Sequence, residues 1–110
     1  MTTKNMKEIL AKKLKDENTY FTKSDISIRK KEYICKGTTD KDYSYKVIIK
    51  DYEHITFVID IKSNYGIDPY ICVYYKEDDF KAIIIFDDFF GDKDIENTLV
   101  KLGYFIGTRF

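Results

Sequence analysis

Two carboxylates and a lysine within reach of one another are enough to hold a Mg²⁺ ion and steady an attacking water. The triplet Asp60-Ile61-Lys62, with Asp42 or Asp51 upstream and Glu8 near the start, supplies those residue types. Composition weakens the signal. With Asp plus Glu at 19 of 110 residues and lysine almost as frequent, about three Asp/Glu-x-Lys triplets arise by chance. The chain holds two, the other being Asp79-Phe80-Lys81. The stretch that follows, Ser63-Asn64-Tyr65-Gly66-Ile67-Asp68-Pro69, reads as a loop and not as the helix such a site needs behind it. A Mg-dependent nuclease is the weakest of the functional readings.

Other chemistry finds less support. His54 is the single histidine, and no cysteine or second histidine stands at zinc-ligand spacing from it. As a general base it would need an orienting carboxylate, and Asp51 and Glu53 point elsewhere on an extended chain. Ser24, Ser27, Ser44 and Ser63 lie in no nucleophile elbow. The glycines at 37, 66, 91, 103 and 107 are too dispersed for a phosphate-cradling loop. No catalytic residue, metal ligand or cofactor is assigned.

Two features exceed background. Glu77, Asp78, Asp79, Asp87, Asp88, Asp92, Asp94 and Glu96 crowd the last third of the chain, with Phe89-Phe90 between them. Turns and helix starts account for part of this; the remainder reads as an acidic lip for a basic protein, or as a mimic of phosphates. The second feature is tyrosine, ten in all, with pairs at Tyr43/Tyr45 and Tyr74/Tyr75 and Tyr70 close by. Tyrosine suits protein contact because it offers a large rigid area and one hydroxyl. Interleaved with Lys46 and Lys76, it also suits stacking of single-stranded bases.

The elements that must position these residues follow from periodicity. Met6, Ile9, Leu10 and Leu14 recur at helical spacing between Thr2/Thr3 and the Asp16-Glu17-Asn18 break. From residue 26 the period becomes two, which predicts strands at about 26–36, 43–50, 53–62, 70–77 and 81–88. Their connections are too short for helical crossovers, or lack helical pattern, so sequence neighbours should pair antiparallel. Asp92 is read as the cap of a second helix with Ile95, Leu99 and Leu102 inward, Gly103 as its stop, and 104–110 as a short strand or edge-packed tail. The expected fold is α+β: an N-terminal helix, a five-stranded antiparallel meander sheet and a C-terminal helix packed on one face, in one domain over 1–110. Ile55, Phe57, Ile59 and Ile61 would face the helices. Lys46, Ile48, Lys50, Thr56, Val58, Tyr70, Cys72 and Tyr74 would face outward.

Nineteen basic and nineteen acidic residues cancel, which removes the uniform positive field of a non-specific nucleic-acid binder. Arginine, the residue that makes bidentate forks, occurs only at positions 29 and 109. No apolar run approaches the roughly 18 residues of a membrane span, and residues 1–17 carry charge throughout and contain no apolar stretch of the kind a leader uses. Cys35 and Cys72 form no Cys-x-x-Cys pair and read as buried free thiols of a cytoplasmic protein, with a cross-strand disulfide as the alternative.

In size, lack of catalytic motifs and Tyr/Asp-rich composition, the chain resembles small toxin-immunity and phage anti-defence inhibitors. That likeness implies a non-enzymatic module that occludes a partner's working surface, the partner being a toxin or defence nuclease. Tyr45, Tyr74, Phe89, Phe90, Asp87, Asp88 and Asp92 are the partner-binding candidates. The competitor is a sheet-face RNA or single-strand binder using Tyr43, Tyr45, Lys46, Tyr74 and Lys76. A homodimer through the outer face or an open edge strand is the third option.

Overall fold

The Thr2 hydroxyl accepts the backbone N–H of Asn5 at 3.1 Å, satisfying one of the donors that a helix start leaves open. From there α1 runs over Thr3–Asp16. The computed structural model describes residues 2–34, 41–64, 67–78, 81–88 and 95–110, with the backbone alone at 41, 63–64, 67–70 and 88. Met6, Leu10 and Leu14, four apart, are the buried stripe of α1. The helix ends at Asn18, which takes a left-handed φ of 62°. The N–H of Thr19 then returns to Leu14 O and that of Asn18 to Lys15 O, each at 3.0 Å, the two bonds of a Schellman stop.

A single 3-10 turn, Lys23–Asp25, leads into the sheet. The Thr22 N–H donates to the Asp25 carboxylate at 2.8 Å, and this bond holds that carboxyl below its ordinary value. The strands are β1 (Ile26–Ile34), β2 (Lys41–Ile49), β3 (Ile55–Asn64), β4 (Ile67–Glu77) and β5 (Lys81–Asp88), followed by α2 (Ile95–Arg109). They lie in sequence order, each antiparallel to the next, as connections of this length require. Among the described residues no helix is long and apolar enough to cross a membrane.

Both helices pack on one sheet face. Leu10 and Leu14 of α1 and Leu99 and Ile106 of α2 share a single buried cluster with Val47 and Phe57 of the sheet. In register, Val47 pairs with Phe57 and Phe57 with Tyr75, so one parity of each strand enters the core. The expected inward set of Ile55, Phe57, Ile59 and Ile61 does face the helices.

Two expectations need correction. The stretch 63–69 is not a long loop: β3 reaches Asn64, β4 starts at Ile67, and these two residues pair. Pro69 is tolerated in β4 because it lies beyond the last described β4–β5 pair, Ile71 with Asp88, and beside a register shift in β3 between Lys62 and Asn64. A missing N–H interrupts no ladder there. Gly103 is likewise no stop, since α2 passes through it to Arg109 and no strand forms at 104–110. A Cβ at Gly103 would stand 2.7 Å from Lys13 Cγ and 2.9 Å from Lys13 Cβ, and one at Gly107 would meet Glu17 Cβ. These glycines, four apart on one face of α2, let the helices touch. Phe110 then closes the aromatic end of the core, its ring 5.6 Å from Tyr52 and 6.0 Å from Phe57. The Tyr52 hydroxyl donates to the Phe110 carbonyl at 3.1 Å. The Asp92 cap lies outside the described residues.

Gly103→Val should therefore destabilise the fold by roughly 1–3 kcal/mol through overpacking against Lys13. Gly103→Ala should cost less, because better helix propensity offsets part of the clash. Urea midpoints of the two variants check the order.

Candidate functional site

The parity that leaves the core builds the other face of the sheet. One row across the strands reads Arg29, Lys46, Val58, Tyr74, Ile84, and the next reads Lys31, Ser44, Asp60, Cys72, Asp87. No described helix covers them. At the centre Val58 is nonetheless only 1% exposed. Its register neighbours Lys46 and Tyr74 flank it, so long side chains lying over the sheet bury it.

Tyr74 is the centre of this face. Its hydroxyl donates to the Asp60 carboxylate, and partial burial first, then the Asp60 charge and that hydrogen bond, push its pKa up to about 12. The neighbouring Cys72 thiol is also pushed up, by burial and by the Asp87 and Asp60 carboxylates. Phenol and thiol both keep their protons at neutral pH, which suits hydrogen bonding and not nucleophilic attack. The Lys76 ammonium lies 5.8 Å from the Tyr74 ring centre, and that of Lys31 lies 5.2 Å from the Tyr33 ring. A shallow groove of about 290 Å³ runs between them, lined by Tyr33, Asp42, Lys46, Asp60, Lys62 and Tyr74 among others. A larger hollow of about 420 Å³ between the helices is walled by long charged side chains such as Glu8, Lys12 and Asp16, and the sheet face is the better-defined surface.

The expected outward residues Lys46, Val58, Cys72 and Tyr74 share this face. Tyr45 does not. It has the parity of Val47, is 3% exposed and belongs to the core cluster, so it leaves the partner-binding set. Tyr43 is half-buried on the same side, and the Lys30 ammonium lies 4.6 Å from its ring and 6.0 Å from that of Tyr45. The stacking pair imagined at 43 and 45 is therefore capped. Asp87 is exposed on the open face opposite Cys72, while Asp88 pairs by backbone with Ile71. Phe89, Phe90 and Asp92 lie outside the described residues, as do Asp79, Asp94 and Cys35. His54 sits in an exposed turn, its ring 6.5 Å from that of Tyr52.

The nuclease constellation is only partly assembled. Asp42, Asp60 and Lys62 line the same groove, but Glu8 is on α1, across the sheet, 3.5 Å from the Lys23 ammonium. Asp51 is in the β2–β3 turn with a φ of 73°. Among the described residues no three acidic, His or Cys groups are placed to hold a metal ion. Residues that composition did not single out, Tyr33, Lys31 and Arg29, enter the face through their pairing with Asp42, Ser44 and Lys46. Their alternation along β1 was the available signal.

No protein-family model matches the chain, and neither does any curated protein or solved structure.

Because the folded Tyr74 holds its proton above the ordinary value of 10.0, its contribution to stability is fully present below pH 10 and is lost as pH rises through about 12. Asp60→Asn should bring the Tyr74 titration back toward the ordinary range. Phenolate absorbance, with Tyr74→Phe as the difference reference, measures it.

Proposed function

We propose that the chain is a non-enzymatic protein-binding module that lays the open face of its sheet on a partner and acts by covering that partner's working surface. The observation that carries this reading is the centre of the face: Tyr74, oriented by its hydrogen bond to Asp60, beside a buried Val58. A rigid aromatic held in place loses little entropy on docking. Among the described residues the surround carries both signs of charge, with Arg29, Lys31, Lys46, Lys62 and Lys76 against Asp42, Asp60 and Asp87. An aromatic centre with a mixed polar rim is the anatomy of a protein contact patch.

The arrangement is less suited to single-stranded nucleic acid. Base stacking needs free ring faces, and lysine ammonium groups already lie over Tyr74 and Tyr33. Asp42 and Asp60 in the groove would also repel a phosphate backbone. The role we assign is that of an inhibitor of the toxin-immunity or phage anti-defence kind, with a toxin or defence nuclease as partner. A cytoplasmic setting goes with the free Cys72 thiol.

Affinity capture from the host, followed by mass spectrometry, tests this with two variants. The wild type and Tyr104→Ala, an exposed α2 substitution, should retain the same protein. Tyr74→Ala combined with Lys46→Glu should lose about 2 kcal/mol, roughly thirtyfold in affinity. Equal retention by the open-face variant would sink the reading. So would RNA binding that weakens steeply with salt and is lost in Lys46→Glu/Lys76→Glu.

A further inference from the structure

The aromatic end of the core is hollow on one side. A space of about 390 Å³ lies between the segment that follows α1, the β2–β3 turn and the end of α2, within the roughly 300–1,000 Å³ of small-molecule sites. Its walls include four rings, Tyr20, Phe21, Tyr52 and Phe110, and two carboxylates, Glu17 and Asp51. No described lining residue is basic, although 19 of the 110 residues in the chain are, so the selection of acids and rings is not a matter of supply. The hollow shares no lining residue with the groove of the open sheet face.

Three of the rings are fixed, and they are not stacked. Phe21 and Phe110 stand at 68° and 65° to Tyr52, with centroids 5.8 and 5.6 Å from it. Phe21 and Tyr52 pack against the core, and the Phe110 carbonyl accepts the Tyr52 hydroxyl. Tyr20 differs. It is 97% exposed and adds almost nothing to the core, yet its backbone is tied on both sides. The Thr19 N–H and hydroxyl both donate to Leu14 O, and Phe21 is anchored among the core residues. A large ring held in water at the rim of a hollow is buried only when another molecule covers it. The charges are as selective as the rings. Glu17 is paired with the Lys13 ammonium at 2.9 Å, while Asp51 makes no ion pair among the described residues. Arg109, beside Phe110 in sequence, lies over the Phe105 ring at 5.2 Å and not in the hollow.

We infer that this hollow binds a methylated ammonium group, with Tyr20, Tyr52 and Phe110 around the cation and Asp51 as its counter-charge. The carrier is a choline-like small molecule or a methylated lysine side chain. Ring faces are the negative part of an aromatic group and attract such a cation. Its methyl groups need no hydrogen-bond acceptors, which suits walls made mostly of carbon. Rings set at steep angles enclose a rounded cation, whereas a planar guanidinium stacks on parallel faces. The site is separate from the open sheet face and does not depend on the protein-binding role proposed for it.

Titration of the full chain with choline, followed by backbone amide NMR shifts, tests the site. The shifts should gather at Tyr20, Phe21, Asp51 and Tyr52 and saturate with a Kd of about 1 mM. Dimethylbutanol, in which carbon replaces the choline nitrogen and the charge is gone, should bind about tenfold more weakly. Tyr20→Ala removes a solvated ring, and Asp51→Asn keeps a residue that accepts the left-handed φ of 73°, so both variants should fold. Each should weaken choline roughly fivefold. An acetylated trimethyllysine amide, titrated beside choline, identifies the carrier, which is the tighter of the two. No saturation by about 20 mM of either probe overturns the inference. So does dimethylbutanol binding as well as choline, methylguanidinium binding better, or an affinity that neither variant changes. Shifts centred on Tyr74 would place the cation on the open face and overturn it as well.

Discussion

One-sided burial is the constraint on which the rest of the molecule depends. A five-stranded sheet must hide one face from water, and here the two helices that flank it in sequence do so together, touching at Gly103 and Gly107. Their contact is close because no side chain stands between them at those points. A wider crossing would leave Leu10, Leu99 and Ile106 unable to meet Val47 and Phe57 in one cluster. The close crossing also limits what the pair can cover. On the helix side, Ile34 at the end of β1 and Ile83 on β5 remain exposed.

The side chains that stability does not consume are therefore sorted by parity onto the open face. Net charge is zero over the chain, yet the distribution is uneven, because Lys31, Lys46, Lys62 and Lys76 of four neighbouring strands point the same way. Tyr74 illustrates how such a face becomes ordered. Its hydroxyl has Asp60 as acceptor and its ring has Lys76 above it, so a surface tyrosine acquires a fixed orientation without entering the core. Val58 shows the complementary effect, a residue on the solvent side buried by the stems of its neighbours.

Much of the architecture was legible in the residues. The spacing of Met6, Leu10 and Leu14 marked α1, and the alternation of Ile55, Phe57 and Ile59 marked both β3 and its inward side. Strand order followed from short connections. The misreadings share one physical cause, that local chemistry has two uses. Glycine ends helices through left-handed backbone, but it also permits close approach, and Gly103 serves the second. Proline and asparagine mark loops, yet Pro69 and Asn64 lie in paired strands where the ladder tolerates them. Tyrosine serves core and surface alike, and Tyr45 went to the core through a parity that Val47 and Ile49 already carried.

What the chain's own residues determined is periodicity and adjacency: which segments are helix or strand, and which strands are neighbours. Those depend on backbone preference and loop length, properties of a few consecutive residues. Only the tertiary structure decided what each face and each glycine is for. That depends on what lies opposite, and the opposite residue comes from elsewhere in the chain: Lys13 against Gly103, Asp60 against Tyr74, two helices against one side of a sheet.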